Sequence, residues 1–349
     1  MDKIKISICM PTHNRARFIE ETLENVMGQV NDNIEIVIVD GASGDNTAEV
    51  VQRFQKRFTN IVYYRGKDNP GVDRDMARTI ELARGEYCWM LSDDDFLKDG
   101  AVKRVLEEIK SGHEIYLCNV TACDLLMRPI RDRYWLSAKV KDRVFDLHDK
   151  NAFMEYCGKA NSIGALFSYM SSIVLARRAW IKNGFNHDFD KSAYALAASL
   201  VALTKGQCTL KYIREPLVFW RNDNESFQNE GGLVKRFYLD FDGYLRIADK
   251  YLSDDRHVRG SFLRVMTREH PWYTIIHVTS LIDSPQQWEE FRAKMFKVGY
   301  GPRMAAICRA LGRLKTLVSL GVMIKRRVIK SRWISNLFGG SLWIKRCRV

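Results

Sequence analysis

Three consecutive carboxylates, Asp93, Asp94 and Asp95, follow the apolar run Tyr87–Leu91 after a single serine, Ser92. Adjacent acids repel one another and resist joint burial, so the triplet requires a counter-charge. A hard divalent cation, Mg2+ or Mn2+, prefers oxygen ligands and would supply it, with the oxygens of a bound diphosphate completing the shell. Taken alone, the triplet also suits a solvated acidic turn capping the helical stretch that starts at Leu97. Asp40 ends a second apolar run, Val37-Ile38-Val39-Asp40. A carboxylate there can accept from a pyrimidine N–H or a ribose hydroxyl, or simply begin a turn. Pro11-Thr12-His13-Asn14-Arg15 closes the first apolar run and offers hydroxyl, amide and guanidinium groups, or else a plain capping turn. Arg221 opens a later polar turn, Arg221–Ser226. Its planar guanidinium can donate two bonds to a phosphate, or serve as a surface cation.

These groups act together only if one scaffold brings them to one edge. Short apolar runs at Lys5–Met10, Ile34–Val39, Ile61–Tyr64, Tyr87–Leu91 and Glu114–Asn119 read as buried strands. Between them Arg15–Met27, Thr47–Phe58, Arg74–Ala83 and Leu97–Ser111 carry apolar residues at helical spacing. Strands alternating with helices predict a doubly wound, mostly parallel α/β sheet, whose ligands lie at the carboxyl ends of the strands. The Thr12, Asp40 and Asp93–Asp95 turns all fall at such ends. Further on, Ser162–Leu175 predicts a loop and strand, Ser192–Leu203 a helix and Leu217–Trp220 a strand; Gly232–Leu252 and Arg259–Thr279 read as helical.

Pro11-Thr12-His13-Asn14-Arg15, then Val39-Asp40-Gly41-Ala42-Ser43-Gly44-Asp45, then Gly85-Glu86-Tyr87 leading into the acidic triplet resemble, in order and spacing, the bacterial family 2 glycosyltransferases over residues 1–230. Gly71-Val72-Asp73-Arg74, Gly85-Glu86-Tyr87-Cys88-Trp89 and Ser171-Ser172-Ile173-Val174 before Trp180 are similar to the abequosyltransferase-like O-antigen sugar transferases. The resemblance implies a GT-A type fold with a nucleotide-sugar site. Thr12, Asn14 and Asp40 would hold the nucleoside, joined by Pro11, Arg15, Gly71, Asp73, Arg74, Asp93 and Asp94. Arg221 and Ser226 would close over the diphosphate, and Asp93 and Asp95 would be the two ends of a D-x-D metal motif. It also implies transfer of a sugar, a deoxyhexose by subgroup, to a hydroxyl of a lipid-linked saccharide in O-antigen, lipopolysaccharide or surface polysaccharide synthesis. One departure stands out. Inverting members carry an acidic pair near residue 190, one carboxylate being the general base; here Ser192–Leu203 holds no acid. Asp188, Asp190 and His187 are the candidate bases, His187 because an imidazole titrates near neutrality. Each is equally compatible with an ordinary polar loop. Without a base, the enzyme would retain configuration, the leaving phosphate assisting the acceptor.

Composition bounds the rest. The 349 residues are 46% hydrophobic and 28% charged, a globular balance. Of the 55 Lys and Arg, twelve lie in residues 301–349, which hold no Asp or Glu; the first 300 residues carry 43 basic against 42 acidic groups. A near-neutral body argues against a nucleic-acid binder. The eight Cys include no C-x-x-C and read as small core residues rather than zinc ligands. Three regions are expected: a GT-A domain over 1–230, a helical segment over 231–300, and a basic amphipathic tail over 301–349. The tail interleaves Leu311, Leu314, Leu317, Trp333 and Trp343 with cations and suits an anionic membrane surface. With no signal peptide and no run of about 18 apolar residues, the expected location is cytoplasmic, peripheral on the inner face of the cell membrane. Two other readings weigh less. A sugar-1-phosphate nucleotidyltransferase would need a Gly-rich basic loop after the first strand, and a non-catalytic membrane-peripheral nucleotide-binding module would have little use for an intact acidic triplet.

Overall fold

The computed structural model describes residues 3–222, 224 and 232–314. β1 (Ile6–Thr12) is buried at every position, and so is β2 (Ile34–Asp40). Strands covered on both faces are predominantly apolar, here interrupted by Ser7 and Glu35. The covering helices are amphipathic. Between β1 and β2, α1 (Ala16–Met27) buries Ile19, Leu23 and Val26, spaced by four and three residues. α2 (Thr47–Arg57), β3 (Ile61–Arg65), α3 (Val72–Leu82) and β4 (Tyr87–Met90) continue the alternation.

After the acidic turn come β5 (Phe96–Leu97), α4 (Ala101–Glu108), β6 (Ile115–Cys123), β7 (Pro129–Arg133), β8 (Arg143–Asp146) and α5 (Lys150–Lys159). β9 (Ile173–Ala176), α6 (Arg177–Asn183), α7 (Ala195–Leu203) and β10 (Thr209–Arg221) complete this part. Ten strands join in one sheet of order β3-β2-β1-β4-β9-β6-β10-β5, with β7 on β6 and β8 on β10. β3, β2, β1 and β4 are mutually parallel, as are β6 and β10, while β9 runs antiparallel between β4 and β6. The chain winds outward from β1 through β2 to β3, then returns to lay β4 on the other side of β1. The gap between the carboxyl ends of β1 and β4 is therefore a topological switch point, where ligands enter such sheets.

A buried acid locks that switch. Glu35 of β2 accepts from Ser7 Oγ at 2.6 Å and from the Arg84 backbone N–H at 2.6 Å, and pairs with the Arg84 guanidinium at 2.8 Å. Ser7 Oγ in turn accepts from Gly85 N–H at 2.9 Å. Both Glu35 and Ser7 are fully buried, so every bond is needed to offset their desolvation.

Several elements differ from the sequence expectation. Leu97 lies in β5, paired antiparallel with Val218 of β10, and the helix begins only at Ala101 after Gly100, whose φ is 78°. β10 starts eight residues earlier than its apolar pattern, because Pro216 sits at a register shift that the pattern cannot cross. β7, β8, α5 and α6 carry no periodicity that announces them. The chain divides into two compact units, Met1–Tyr156 with Gly164–Asn224, and Cys157–Ile163 with Glu225–Val349.

The second unit is helical: α8 (Gly232–Tyr251), α9 (Arg256–Glu269), α10 (Trp272–Ser280), α11 (Pro285–Val298) and α12 (Pro302–Gly312). The helical stretch read over Arg259–Thr279 is two helices, broken at Pro271. Phe237, Phe241 and Phe291 pack at its centre, beside a buried Asp240–His270 contact of 3.0 Å. The seven Cys in the described residues are buried and unbridged. Of the basic tail, residues 315–349 lie outside the described residues, as does Ser226.

Gly85 is the tightest point of the β1–β4 seam: a Cβ there would stand 2.6 Å from the Ser7 backbone N and Oγ. Gly85→Ala is therefore expected to cost about 1–3 kcal/mol of stability through overpacking. Thermal unfolding checks this, and an unchanged melting temperature would contradict it.

Candidate functional site

The acidic turn sits at the end of β4, beside the end of β1, and its three carboxylates find three different solutions. All are at least nine-tenths buried. Asp93 Oδ2 accepts from Thr12 Oγ1 at 2.7 Å, a bond that crosses the switch point. Arg15, just before α1, donates from Nε to Asp93 Oδ1 at 3.3 Å and from Nη2 to Asp94 Oδ2 at 3.0 Å. Asp94 also accepts from Ser92 Oγ at 2.5 Å and from Asn224 Nδ2 at 2.6 Å. Asp95 has other partners altogether. Its Oδ2 accepts from the Tyr169 hydroxyl and from Ser171 Oγ at 2.6 Å, and its Oδ1 from the Arg221 N–H at 3.0 Å.

Asp93 and Asp94 thus converge on one cation, the Arg15 guanidinium. Asp93 and Asp95, the pair expected to form the metal motif, share no partner. Among the described residues no three His, Cys, Asp or Glu side chains are grouped as a metal-ligand set. Burial and the neighbouring Asp94 charge push Asp93 up to about 6 and Asp95 up to about 8; Arg15 pulls Asp93 back, whereas Asp95 has only hydrogen bonds to lower it.

Around the turn, the sequence-named residues divide into those facing this crevice and those consumed by the frame. Asn14 adopts φ 54°, a conformation asparagine tolerates. It uses that geometry to clamp the turn after β2: its N–H donates to Ser43 Oγ at 2.8 Å and its Oδ1 accepts from Gly44 N–H at 2.7 Å. Pro11 is buried within β1. Asp40, expected to hold the nucleoside, is fully buried. Its Oδ1 accepts from Ser43 N–H at 2.8 Å and its Oδ2 from the Tyr63 hydroxyl at 2.7 Å. Each oxygen of Asp40 thus already holds one bond inside the protein and keeps a further lone pair.

Arg221 is likewise engaged within the protein. Its side chain is 2% exposed and donates to the Asp94 carbonyl at 2.9 Å, the Leu125 carbonyl at 2.6 Å and Glu21 at 2.7 Å. Phe18 and Phe96 rings lie 5.2 and 5.3 Å from its guanidinium. The group is neither a surface cation nor an open phosphate ligand; it pins the carboxyl end of β10 under the acidic turn.

Gly71 precedes α3 with φ 98°, which only glycine takes without strain. Asp73, buried in the first turn of α3, accepts from Ala193 N–H at 3.0 Å and from the backbone of Ser192 and Ala195. It thereby holds the loop leading into α7, and burial raises its carboxyl to about 6. Arg74 reaches the same loop, donating to Asp190 Oδ2 from Nε at 2.6 Å and from Nη2 at 2.5 Å. Asp190 Oδ1 is buried with no hydrogen-bond partner among the described residues. Lys191 and Ala193 flank it at φ 58° and 63°, strain that the Asp73 bonds sustain. His187 and Asp188 are exposed, His187 edge-on to Phe185 at 5.1 Å. The three candidate bases are not one cluster.

Tyr169, Glu21 and Asn224 were not singled out from the sequence. Tyr169 lies in a long apolar stretch and carried no local signal; Asn224 was within the polar turn read after Arg221.

The profile described as glycosyl transferase family 2 matches residues 7–174. The chain is 32% identical over 339 residues to "Abequosyltransferase RfbV" of Salmonella typhimurium, covering 93% of this chain and 99% of that one. It is 30% identical over 110 residues to "GalNAc(5)-diNAcBac-PP-undecaprenol beta-1,3-glucosyltransferase" of Campylobacter jejuni, covering 31% and 36%. In fold it is similar to S. aureus TarS in complex with UDP-GlcNAc, with a TM-score of 0.61, 15% identity and 88% of each chain covered. It is also similar to the mannosyltransferase PcManGT from Pyrobaculum calidifontis in complex with GDP-Man and Mn2+, with a TM-score of 0.52, 15% identity and 91% and 88% covered. The sheet is thus of the expected GT-A kind.

Raised carboxyl values fix the sign of a pH effect. A buried acid with a folded pKa above its ordinary value, near 4 when unfolded, favours folding while protonated. Its contribution is complete below about pH 4 and is lost as pH rises through about 8 for Asp95. In metal-free protein, Asp95→Asn, which cannot ionise, should gain in melting temperature relative to the parent as pH is raised from 5 to 9. A gap that stays constant or shrinks would contradict the assignment.

Proposed function

The chain belongs to glycosyl transferase family 2, and from that membership we propose that it moves a sugar from a nucleoside diphosphate donor to a hydroxyl of a lipid-linked saccharide in O-antigen or related surface polysaccharide synthesis. The relative named as an abequosyltransferase supports a deoxyhexose as the sugar, and the undecaprenol-linked substrate in the name of another supports the lipid-linked acceptor. Membership lends no support to a nucleotidyltransferase or a non-catalytic module.

One observation carries the reading: Thr12 of β1 and Asp93 beyond β4 are joined across the switch point, with Arg15 bridging Asp93 and Asp94 beside them. Two carboxylates already arranged around one cation, at the sheet edge where phosphates bind, are a fitting site for a divalent cation and a diphosphate. Asp93 and Asp94 would hold Mg2+ or Mn2+, which would offset the charge growing on the departing diphosphate. The neighbour with Mn2+ supports this choice. Asp95 stays in the frame, where Tyr169 and Ser171 fix the turn. As the C1–O bond to the diphosphate breaks, the acceptor hydroxyl attacks C1 and its proton must leave.

Asp190 is the group proposed to take that proton. Arg74 grips one of its oxygens, while the other is buried with no hydrogen-bond partner among the described residues. His187 and Asp188 are exposed.

A membrane surface is the proposed location. Met304, Ile307, Leu311 and Leu314 are exposed at three- and four-residue spacing along and just beyond α12, near the exposed Arg303 and Arg313. An apolar stripe edged by cations suits anionic lipid. Among the described residues no helix is long and apolar enough to cross a membrane. Co-sedimentation with anionic but not neutral vesicles supports this location, and equal partition overturns it.

Purified protein incubated with UDP-, CDP-, GDP- and dTDP-sugars should release one nucleoside diphosphate, with EDTA suppressing release and Mn2+ restoring it. Release of none, with acceptor present, would overturn the donor reading. Asp190→Asn should lower kcat by about 100-fold or more while donor affinity holds; unchanged turnover would show that the leaving phosphate itself assists the acceptor.

A further inference from the structure

The turn between β6 and β7 has an unusual composition. Turn tips are ordinarily built from Gly, Asn, Asp, Ser and Pro. Here Leu125, Leu126 and Met127 stand in succession, followed by Arg128, Pro129 and Ile130. Leu125 is 46% exposed, Leu126 66% and Ile130 55%. Nor is the turn loose. The Asp124 N–H donates to the Arg128 carbonyl at 3.1 Å, while Asp124 Oδ1 accepts from the N–H groups of Leu126 and Arg128 at 3.0 Å each. Asp124 Oδ2 accepts from Arg128 Nε at 2.7 Å. Ile130 is the extra residue of a bulge, since Ala122 pairs with Arg131 and Cys123 with Pro129. A bulge re-aims a side chain out of the regular ladder. A well-tied tip that holds apolar side chains in water marks a contact surface. The tip also adjoins the acidic turn. The Leu125 carbonyl accepts from Arg221 Nη1 at 2.6 Å and the Cys123 carbonyl from Asn222 N–H at 3.2 Å. The same Arg221 donates its backbone N–H to Asp95 and its Nε to the Asp94 carbonyl. Charge around the tip is cationic: Arg128, Arg131 and Arg133 stand against Asp124 and Asp132. Both acids are engaged, Asp124 within the turn and Asp132 by Thr121 and Lys98.

Resting on the lipid-linked acceptor and membrane location proposed above, we infer that the β6–β7 tip docks on the anionic membrane surface that carries the acceptor. Leu125, Leu126 and Ile130 enter the headgroup region, and the neighbouring arginines pair with lipid phosphates. Apolar side chains flanked by cations suit that boundary, and each cation near anionic lipid adds to the attraction. Size argues against a protein in its place. A stable protein interface uses about 20–30 residues a side, whereas the tip is the short run 125–130. The contact belongs to the unit that carries the acidic turn, while α12 belongs to the other unit. An acceptor anchored in that surface would present its saccharide beside the edge where the donor sugar departs, with its lipid still in the bilayer.

The test places an environment-sensitive fluorophore on the tip, at Leu126→Cys of the full chain. A Cys347→Ser background keeps the label specific, since the other seven Cys are buried. The probe surface is vesicles of equal parts phosphatidylglycerol and phosphatidylcholine. Emission should shift to the blue and be quenched by brominated acyl chains. The same label at Lys56→Cys, an exposed position of α2, should do neither. Leu125→Ser, Leu126→Ser and Ile130→Ser combined should weaken vesicle binding by about tenfold or more, with the melting temperature unchanged because all three side chains are exposed. Co-sedimentation of the parent with an unshifted label at position 126 overturns the inference and leaves the membrane location resting on α12. A shift at both labelled positions marks general adsorption and overturns it too, as does a dimer in sedimentation velocity that the triple variant dissolves. If the parent does not co-sediment with these vesicles, the membrane location itself fails, and the inference with it.

Discussion

Like charges cannot share a dry turn unless each is given its own partner, and the Asp93–Asp95 turn shows that constraint at work. Three adjacent carboxylates are buried at the end of β4. Asp93 is served from β1 by Thr12, Asp94 from the polar turn after β10 by Asn224, and both from the start of α1 by Arg15. Asp95 is served by Tyr169 and Ser171 ahead of β9 and by the backbone of Arg221 at the end of β10. Three stretches far apart in sequence, 12–15, 169–171 and 221–224, must arrive together before the turn can be buried, and the sheet order that places β4 between β1 and β9 makes that possible.

The division of labour within the triplet follows. Asp95 faces groups that do not carry charge, which suits a carboxyl raised to about 8 and built into the frame. Asp93 and Asp94 face a cation whose side chain keeps 22% of its surface exposed. A pair of acids already balanced by an accessible positive charge can exchange it for another without paying twice for desolvation. The frame beneath is correspondingly tied: Arg221 and Glu35 are buried charges whose hydrogen bonds join strands and turns to one another.

Much of this was legible in the sequence, and the limits are physical. β1, β2 and β4 could be read because strands covered on both faces are predominantly apolar, as Ile34–Val39 is but for Glu35. β7 and β8 could not, since Pro129–Arg133 and Arg143–Asp146 are short and mostly exposed. Strand-end position brought out Thr12, Arg15, Asp40 and the triplet. Position along a chain does not say which way a carboxylate turns, so Asp40 and Asp95 stood out in the sequence while their bonds to Tyr63 and Tyr169 did not. Arg221 shows the same limit, since only the fold reveals the two aromatic rings and three acceptors that surround it.

The orientation of the triplet can be measured directly. Free Mn2+ gives a strong electron paramagnetic resonance signal that disappears on binding, so titrating it in the presence of the preferred nucleoside diphosphate reports the cation site. If Asp94 faces the donor and Asp95 the frame, Asp94→Asn weakens Mn2+ binding by about tenfold or more, as loss of a carboxylate ligand should, while Asp95→Asn stays within a few-fold of the parent. The reverse order, with Asp95→Asn losing the cation and Asp94→Asn keeping it, would contradict the account.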